Sequence, residues 1–202
     1  MKKKKVYLTL ENGKVFEGYR FGADGETVGE LVFSTSMVGY VETLTDPCNY
    51  GQIVVQTFPL IGNYGVMPQD AESDKVWVSA YVVREVCETP SNFRCEGTLN
   101  DFLKQNGVIG IYGVDTRELT KILREEGVMN AKITNKPLTE ENAMDVSSYQ
   151  TKEAVKTVAP TQKAFFKAEN ATATVALWNF GAKRSTISNL LAQGWEIGRA
   201  HV

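Results

Sequence analysis

The residues best equipped for covalent chemistry in this chain are three cysteines, Cys48, Cys87 and Cys95, and a single histidine, His201. A thiol that cleaves an amide needs a sharp strand-to-helix turn to expose it, a histidine base beside it and an acidic residue to orient that base. Such an elbow places glycines two positions either side of the nucleophile, so that the backbone can make the strained turn. The cysteine contexts are DPCNY, EVCET and FRCEG, and none has both glycines. His201 lies one residue from the end, in GRAHV, and is read as a truncation scar rather than a base. No catalytic residue is therefore expected in this chain. An odd cysteine count without a CxxC pair indicates neither a disulfide framework nor a zinc site. No GxxxxGK[ST] stretch is present, so ATP binding within the chain has no support.

The residues suited to non-covalent contact fall in two places. Ser36, Thr43, Thr45, Asp46, Pro47, Cys48, Asn49 and Tyr50 supply hydrogen-bonding groups between two apolar runs, and Pro47 forbids a regular central strand there. Such a loop, held by rigid elements, is a place for ligand or partner contacts, and equally for a plain connection. For Cys48 the same two readings are a ligand contact and a small thiol packed beneath the loop. Arg117, Lys121 and Arg124 follow at spacings of four and three, on one side of a predicted helix. They suit a partner or a phosphate, or they form a solvated face balanced by Glu118, Glu125 and Glu126.

The elements that must position these groups can be read along the chain. Val6 to Leu10 and Val15 to Tyr19 flank an Asn12-Gly13 pair and predict a β-hairpin. Glu30 to Ser34 and Gln52 to Phe58 are rich in Val, Ile, Phe and Thr and predict the two strands bounding the polar loop. Ile61 to Gly65 reads as a turn in which Asn63 and Gly65 serve backbone geometry. Val76 to Val83 predicts another strand. Thr98 and Asp101 open a helix whose apolar face is Leu99, Phe102 and Leu103 and which stops at Gly107. Val108 to Tyr112 returns as a strand. Asp115 with Glu118 caps a second helix, buried through Leu119, Ile122 and Leu123 and ended by Gly127. Thr139 to Met144 predicts a short helix inside a loosely patterned stretch. Thr174 to Trp178 predicts a buried strand, Gly181 a turn, and Ile187, Leu190 and Leu191 the inner face of a helix ending at Gly194. Strands followed by helix, strand, helix imply mixed α/β layers rather than an all-β barrel.

Composition sets the outer bounds. The 202 residues are 43% hydrophobic and 23% charged, enough for a soluble globular core and for one domain plus part of another. A formal net charge of -2 gives no electrostatic reason to expect nucleic acid or an anionic membrane as partner. Lys2 to Lys5 form a basic run followed by too short an apolar stretch for a signal peptide, and no segment reaches membrane-spanning length. Three cysteines without a framework fit a reducing cytosol, so a cytoplasmic location is expected.

Three stretches, TSMVGYVETLTDP with QIVVQTFPLIGNYG, then PSNFRCEGTLNDFLKQNGVIGIYGVDTRELTKILREEG, then ALWNFGAKRSTISNLL, occur in an order that resembles the small, glutamine-using chain of carbamoyl-phosphate synthase. The resemblance implies an amino-terminal domain over residues 1–137 with mixed β-sheet layers and packed helices in a swivelling β/β/α-like arrangement. It further implies a linker over 138–173 and the truncated start of a class I glutamine amidotransferase domain over 174–202. In the complete family member, glutamine is hydrolysed and ammonia passes to a large subunit, which makes carbamoyl phosphate from ammonia, bicarbonate and ATP for arginine and pyrimidine synthesis. ATP and magnesium then belong to that large-subunit partner, and no cofactor is expected here. Cys48 falls where the family's TDPS motif carries a glutamine-contacting serine, and the resemblance assigns it substrate contact. Asn179, in WNFGAKR, stands where the family usually has aspartate, while Phe180 to Arg184 continue to match. The alternative from a different class is a stand-alone interaction module, and a self-sufficient hydrolase using Cys48 is a third reading.

Overall fold

The computed structural model describes residues 3–138 and 146–200, and the helix predicted over Thr139 to Met144 and His201 lie outside them. The chain opens as the expected hairpin, β1 (Lys5–Leu10) against β2 (Val15–Gly22), in antiparallel register from Lys5 opposite Tyr19 to Thr9 opposite Val15. Gly13 sits in the left-handed region that the turn requires, and its N–H donates to the Leu10 carbonyl. There follow β3 (Thr27–Ser34), α1 (Tyr40–Thr45), β4 (Gln52–Gln56), β5 (Leu60–Ile61), β6 (Ala80–Val82), β7 (Glu85–Val86), α2 (Leu99–Gln105), β8 (Ile109–Tyr112), α3 (Thr116–Glu126) and β9 (Met129–Thr134). Seven of these strands close into a barrel in the order β1, β2, β8, β6, β4, β3, β9. Neighbours from β8 through β6 and β4 to β3 are parallel, and the rest are antiparallel.

The mixed α/β character matches the sequence reading, but the sheet is not left as open layers. It closes because β9 pairs with β3 on one edge and with β1 on the other, and neither pairing is signalled by local sequence. Side chains alternate across the wall. Leu8, Leu10, Leu31, Ile53, Val55, Ala80, Val82, Ile111, Ala131 and Ile133 fill the interior, and α3 contributes Leu119, Ile122 and Leu123 to the same core. Val54, Tyr81 and Val83 point outward into a second cluster, where α1 and α2 cover them with Tyr40, Val41, Leu44, Leu99 and Leu103. The central parallel strands are thus buried on both faces, as parallel strands require.

Both predicted helix starts are capped as expected. Thr98 Oγ1 accepts from the Asp101 N–H at 3.1 Å, and Asp115 Oδ1 accepts from the Glu118 N–H at 3.0 Å. The strand expected over Val76 to Val83 shortens to Ala80–Val82. Ahead of it the backbone makes single bonds instead of a ladder, Trp77 N–H to the Leu44 carbonyl and Ser79 N–H to the Gln52 carbonyl.

Beyond the barrel come α4 (Ala154–Val158), β10 (Phe165–Phe166), β11 (Ala173–Trp178), α5 (Arg184–Ala192) and β12 (Trp195–Ala200). The last three strands form a small sheet in the order β10, β12, β11, with β11 and β12 parallel. The predicted strand and helix are therefore present, but β11 is not buried. Ala173, Thr174, Ala176 and Trp178 are exposed, and of the helix face Ile187 is buried while Leu190 and Leu191 are half-covered. A single helix and two longer strands do not supply a layer for the sheet's other side.

Candidate functional site

The polar loop between β3 and β4 is a crossover connection. Those strands are parallel, with Glu30 opposite Gln52 and Ser34 opposite Gln56, so the chain must travel back along the outside of the barrel before re-entering it. Helix α1 makes that return, burying Tyr40, Val41 and Leu44. Its Ncap is Gly39 at φ +85°, which offers no side-chain acceptor. Tyr64 supplies one from the next loop, its hydroxyl accepting from the Gly39 N–H at 2.8 Å and the Tyr40 N–H at 3.3 Å while its ring stacks on Tyr40 at 4.2 Å. The start of the loop is held from below: Gln56, buried in β4, donates to the Ser36 carbonyl and accepts from the Tyr81 hydroxyl.

After α1 the chain makes one 3₁₀ turn, Pro47–Asn49. Asp46 Oδ1 accepts from the Cys48 N–H at 2.9 Å, and Asn49 Nδ2 donates to the Thr43 carbonyl at 2.8 Å, so the turn is closed on both sides. Pro47 is buried and Cys48 is exposed. The thiol therefore does not pack beneath the loop; it faces outward from a rigid turn. Partial burial, followed by the negative charge of Asp46, pushes the Cys48 thiol above its ordinary range, with Lys183 opposing. The thiol form is favoured at neutral pH, which suits weak hydrogen bonding and not nucleophilic attack. Cys87 and Cys95 donate to the carbonyls of Thr89 and Gly97, and all three cysteines are free. Among the described residues no cluster of three His, Cys, Asp or Glu side chains could hold a metal ion. No helix there is long and apolar enough to cross a membrane.

The turn carrying Cys48 lies where the barrel meets the second unit. Lys183 Nζ is 3.6 Å from Asp46 Oδ2, and a Cβ on Gly181 would stand 3.1 Å from Pro47 Cβ. Asn179 is buried, and its Oδ1 accepts from the N–H groups of Gly181 and Ala182 at 2.9 and 2.7 Å. The asparagine side chain thus closes this turn on itself. Next to it, residues 71–74 bridge the units. Thr45 Oγ1 accepts from the Glu72 N–H at 2.9 Å, and Ser73 Oγ donates to the Thr45 carbonyl at 2.6 Å. On the other side, the Glu72 carbonyl accepts from the Arg184 N–H, the Glu72 carboxylate accepts from the Ser185 N–H at 2.9 Å, and the Arg184 guanidinium reaches the Ala71 carbonyl and Asp74 Oδ1. Glu72 thereby serves the open N-terminus of α5, where Lys183 provides no cap. Sequence reasoning singled out Cys48 and the polar loop but missed Tyr64, Glu72 and the clamp by Arg184, because each acts through a contact distant in sequence.

Arg117, Lys121 and Arg124 stand exposed on α3, and the fold brings Arg84 from the β6–β7 connection to the same cavity. Glu118, Glu125 and Glu126 do not line it.

Residues 8–133, essentially the barrel, match the family profile described as carbamoyl-phosphate synthase small chain, CPSase domain. The chain is 45% identical to the carbamoyl phosphate synthase small chain of Clostridium perfringens over 194 residues, covering 96% of this chain and 55% of that protein. The protein of the same name from Fusobacterium nucleatum is 45% identical over 197 residues, covering 94% and 53%. That from Listeria innocua is 54% identical over 125 residues, covering 62% and 34%. The chain thus spans about half the length of these first two curated relatives.

Proposed function

The chain belongs to the carbamoyl-phosphate synthase small-chain family, and we propose that it acts as the amino-terminal portion of the glutamine-using subunit. In this reading residues 1–137 are a swivelling β/β/α scaffold, 138–173 connect, and 174–202 open the amidotransferase domain. The complete subunit releases ammonia from glutamine and passes it to a large subunit, which holds ATP and magnesium and forms carbamoyl phosphate for arginine and pyrimidine synthesis in the cytoplasm. The chain itself contributes no nucleophile, base or orienting acid, since no cysteine has an elbow context and the only histidine is His201. Its contribution to chemistry is positional.

The observation that carries this reading is the placement of Cys48: an outward-facing thiol on a turn fixed by Asp46 and Asn49, at the junction with the Asn179 to Arg184 turn. A neutral thiol there can donate to or accept from the amide or carboxylate of a bound glutamine, less strongly than a hydroxyl would. Binding of this kind stabilises ground state and transition state alike and lowers the Michaelis constant without raising the turnover number.

The test uses a chimera that joins this chain to the remaining half of the Clostridium perfringens relative, assembled with a large subunit. Cys48→Ser should lower the glutamine KM a few-fold, because a neutral hydrogen bond contributes about 0.5–1.5 kcal/mol and a thiol supplies part of it. The turnover number and ammonia-driven synthesis should stay unchanged. An unaltered KM would remove Cys48 from the glutamine site. The isolated chain should release no glutamate from glutamine, and turnover that disappears in Cys48→Ala would make Cys48 a nucleophile instead.

A further inference from the structure

The four parallel strands β3, β4, β6 and β8 all end at one rim of the barrel, and α3 begins there, directly after β8. Between that rim and α3 lies a cavity of about 420 Å³. Its walls carry four cations, Arg84, Arg117, Lys121 and Arg124, with Thr35 and Thr57 from the connections that leave β3 and β4. Crevices at the carboxyl ends of parallel strands are where α/β folds place small ligands, because the connections diverge there and leave space. The Cys48 turn is elsewhere: it feeds β4 from its amino end, at Gln52.

Charge is distributed unevenly in the molecule. Lys4, Lys5, Arg94, Lys183 and Arg184 pair with Asp24, Glu17, Asp70, Asp46 and Asp74. Among the described residues, none of the four cavity cations has a side-chain hydrogen bond or an ion-pair partner. Arg117 to Lys121 and Lys121 to Arg124 are like-charge neighbours on one helix face, an arrangement that costs stability when nothing neutralises it. The chain as a whole is slightly acidic, so a general excess of cations does not account for the cluster. Arg84 is also fixed at the backbone, its carbonyl accepting from the Gly113 N–H at 2.8 Å at the end of β8.

We infer that this cavity is a binding site for a small phosphorylated molecule, its phosphate oxygens held by Arg84, Arg117, Lys121 and Arg124. Guanidinium groups meet phosphate oxygens in pairs, and the ammonium of Lys121 adds a compact charge. The threonine hydroxyls accept from or donate to the remainder of the ligand. An acidic peptide would meet the same charges, but a concave pocket of this size at the strand ends favours a compact ligand over a flat contact. The site is independent of the glutamine-contact reading of Cys48.

The test is calorimetric titration of the 202-residue chain with inorganic pyrophosphate at constant ionic strength, in parallel with a glutamate hexapeptide. Saturable binding of one pyrophosphate per chain is expected, weaker as sodium chloride is raised. Arg117→Gln with Arg124→Gln should weaken it about tenfold or more, and Lys121→Gln alone by less, with no fall in the melting temperature of the unliganded chain. Lys14→Gln, in the hairpin turn, should change nothing. Absence of saturable binding, equal loss in Lys14→Gln, or tighter binding of the glutamate peptide than of pyrophosphate would each overturn the inference, the last in favour of a docking surface.

Discussion

The barrel and the small back sheet are built from similar strands and end in different states. In the barrel every strand has two neighbours, and Ile53, Val54 and Val55 of β4 are all buried. In the back sheet β11 is an edge strand, Trp178 is 61% exposed and Phe165 of β10 is 78% exposed. Closure removes free edges and covers the inner face of every strand, and α1 and α2 cover the outer face of the central parallel strands, whereas an open sheet of three strands with one helix leaves both an edge and a face in water. The barrel can therefore hold the Cys48 turn rigidly by itself. The back sheet is held in position by the polar clamp at residues 71–74 together with the contacts of Lys183 and Gly181 at Asp46 and Pro47.

The sharpest contrast should appear in core truncations. Ile53→Ala removes a fully buried side chain from the barrel interior and should destabilise global unfolding by about 2–5 kcal/mol. Ile197→Ala, in the buried centre of β12, should leave the main unfolding transition in place and loosen only the back sheet. Chemical denaturation followed by far-ultraviolet dichroism checks both, and an equal fall in stability for the two variants would mean that the units unfold as one.

A smaller effect is expected at the junction. Gly181 has φ +111°, and an added Cβ would lie 2.8 Å from Val158 Cγ2 and 3.1 Å from Pro47 Cβ. Gly181→Ala should weaken docking by about 1–3 kcal/mol through backbone strain and contact. Limited proteolysis should cut faster between residues 159 and 172 while the barrel's melting temperature holds.

The smallest expected effect is electrostatic. Burial, reinforced by Asp70 and Glu72, raises the Glu42 carboxyl above the ordinary carboxylate range. Its neutral form is the one the fold favours, so its contribution is fully present below the unfolded-state value and is lost as pH rises through the raised folded value. Glu42→Gln should therefore raise the melting temperature slightly at neutral pH and make no difference in acid. A loss at neutral pH would show that the carboxylate is needed as an acceptor.

What could be read in the sequence follows the same division between local and distant causes. Asn12-Gly13, Thr98 with Asp101, and Asp115 with Glu118 announce a hairpin and two helix starts within four residues, and all three form. Helix α1 was not legible, because it spans six residues and its N-terminus is served by Tyr64, more than twenty positions away. β9 carries an alternating Met129, Ala131, Ile133 pattern that was there to be found, but barrel closure depends on its pairing with β1 and β3. For the sites, the spacing of Arg117, Lys121 and Arg124 was visible, while Arg84 joins them only through the β6–β8 pairing. Cys48 stood out through its motif, and its exposure depends on Pro47 taking the buried position in the turn.

Native-state hydrogen exchange on the whole chain, wild type and Arg184→Ala, tests most directly whether a self-sufficient barrel carries a separately held unit. Amides of β4, β6 and β8 should exchange only through global unfolding, and those of β11 and β12 through a local opening of lower free energy. Removing the guanidinium that bonds the Ala71 carbonyl and Asp74 should speed exchange in β11 and β12 by about fivefold and leave the barrel strands unchanged. Equal protection of β4 and β11, shifted together by the substitution, would contradict the separation of the two units.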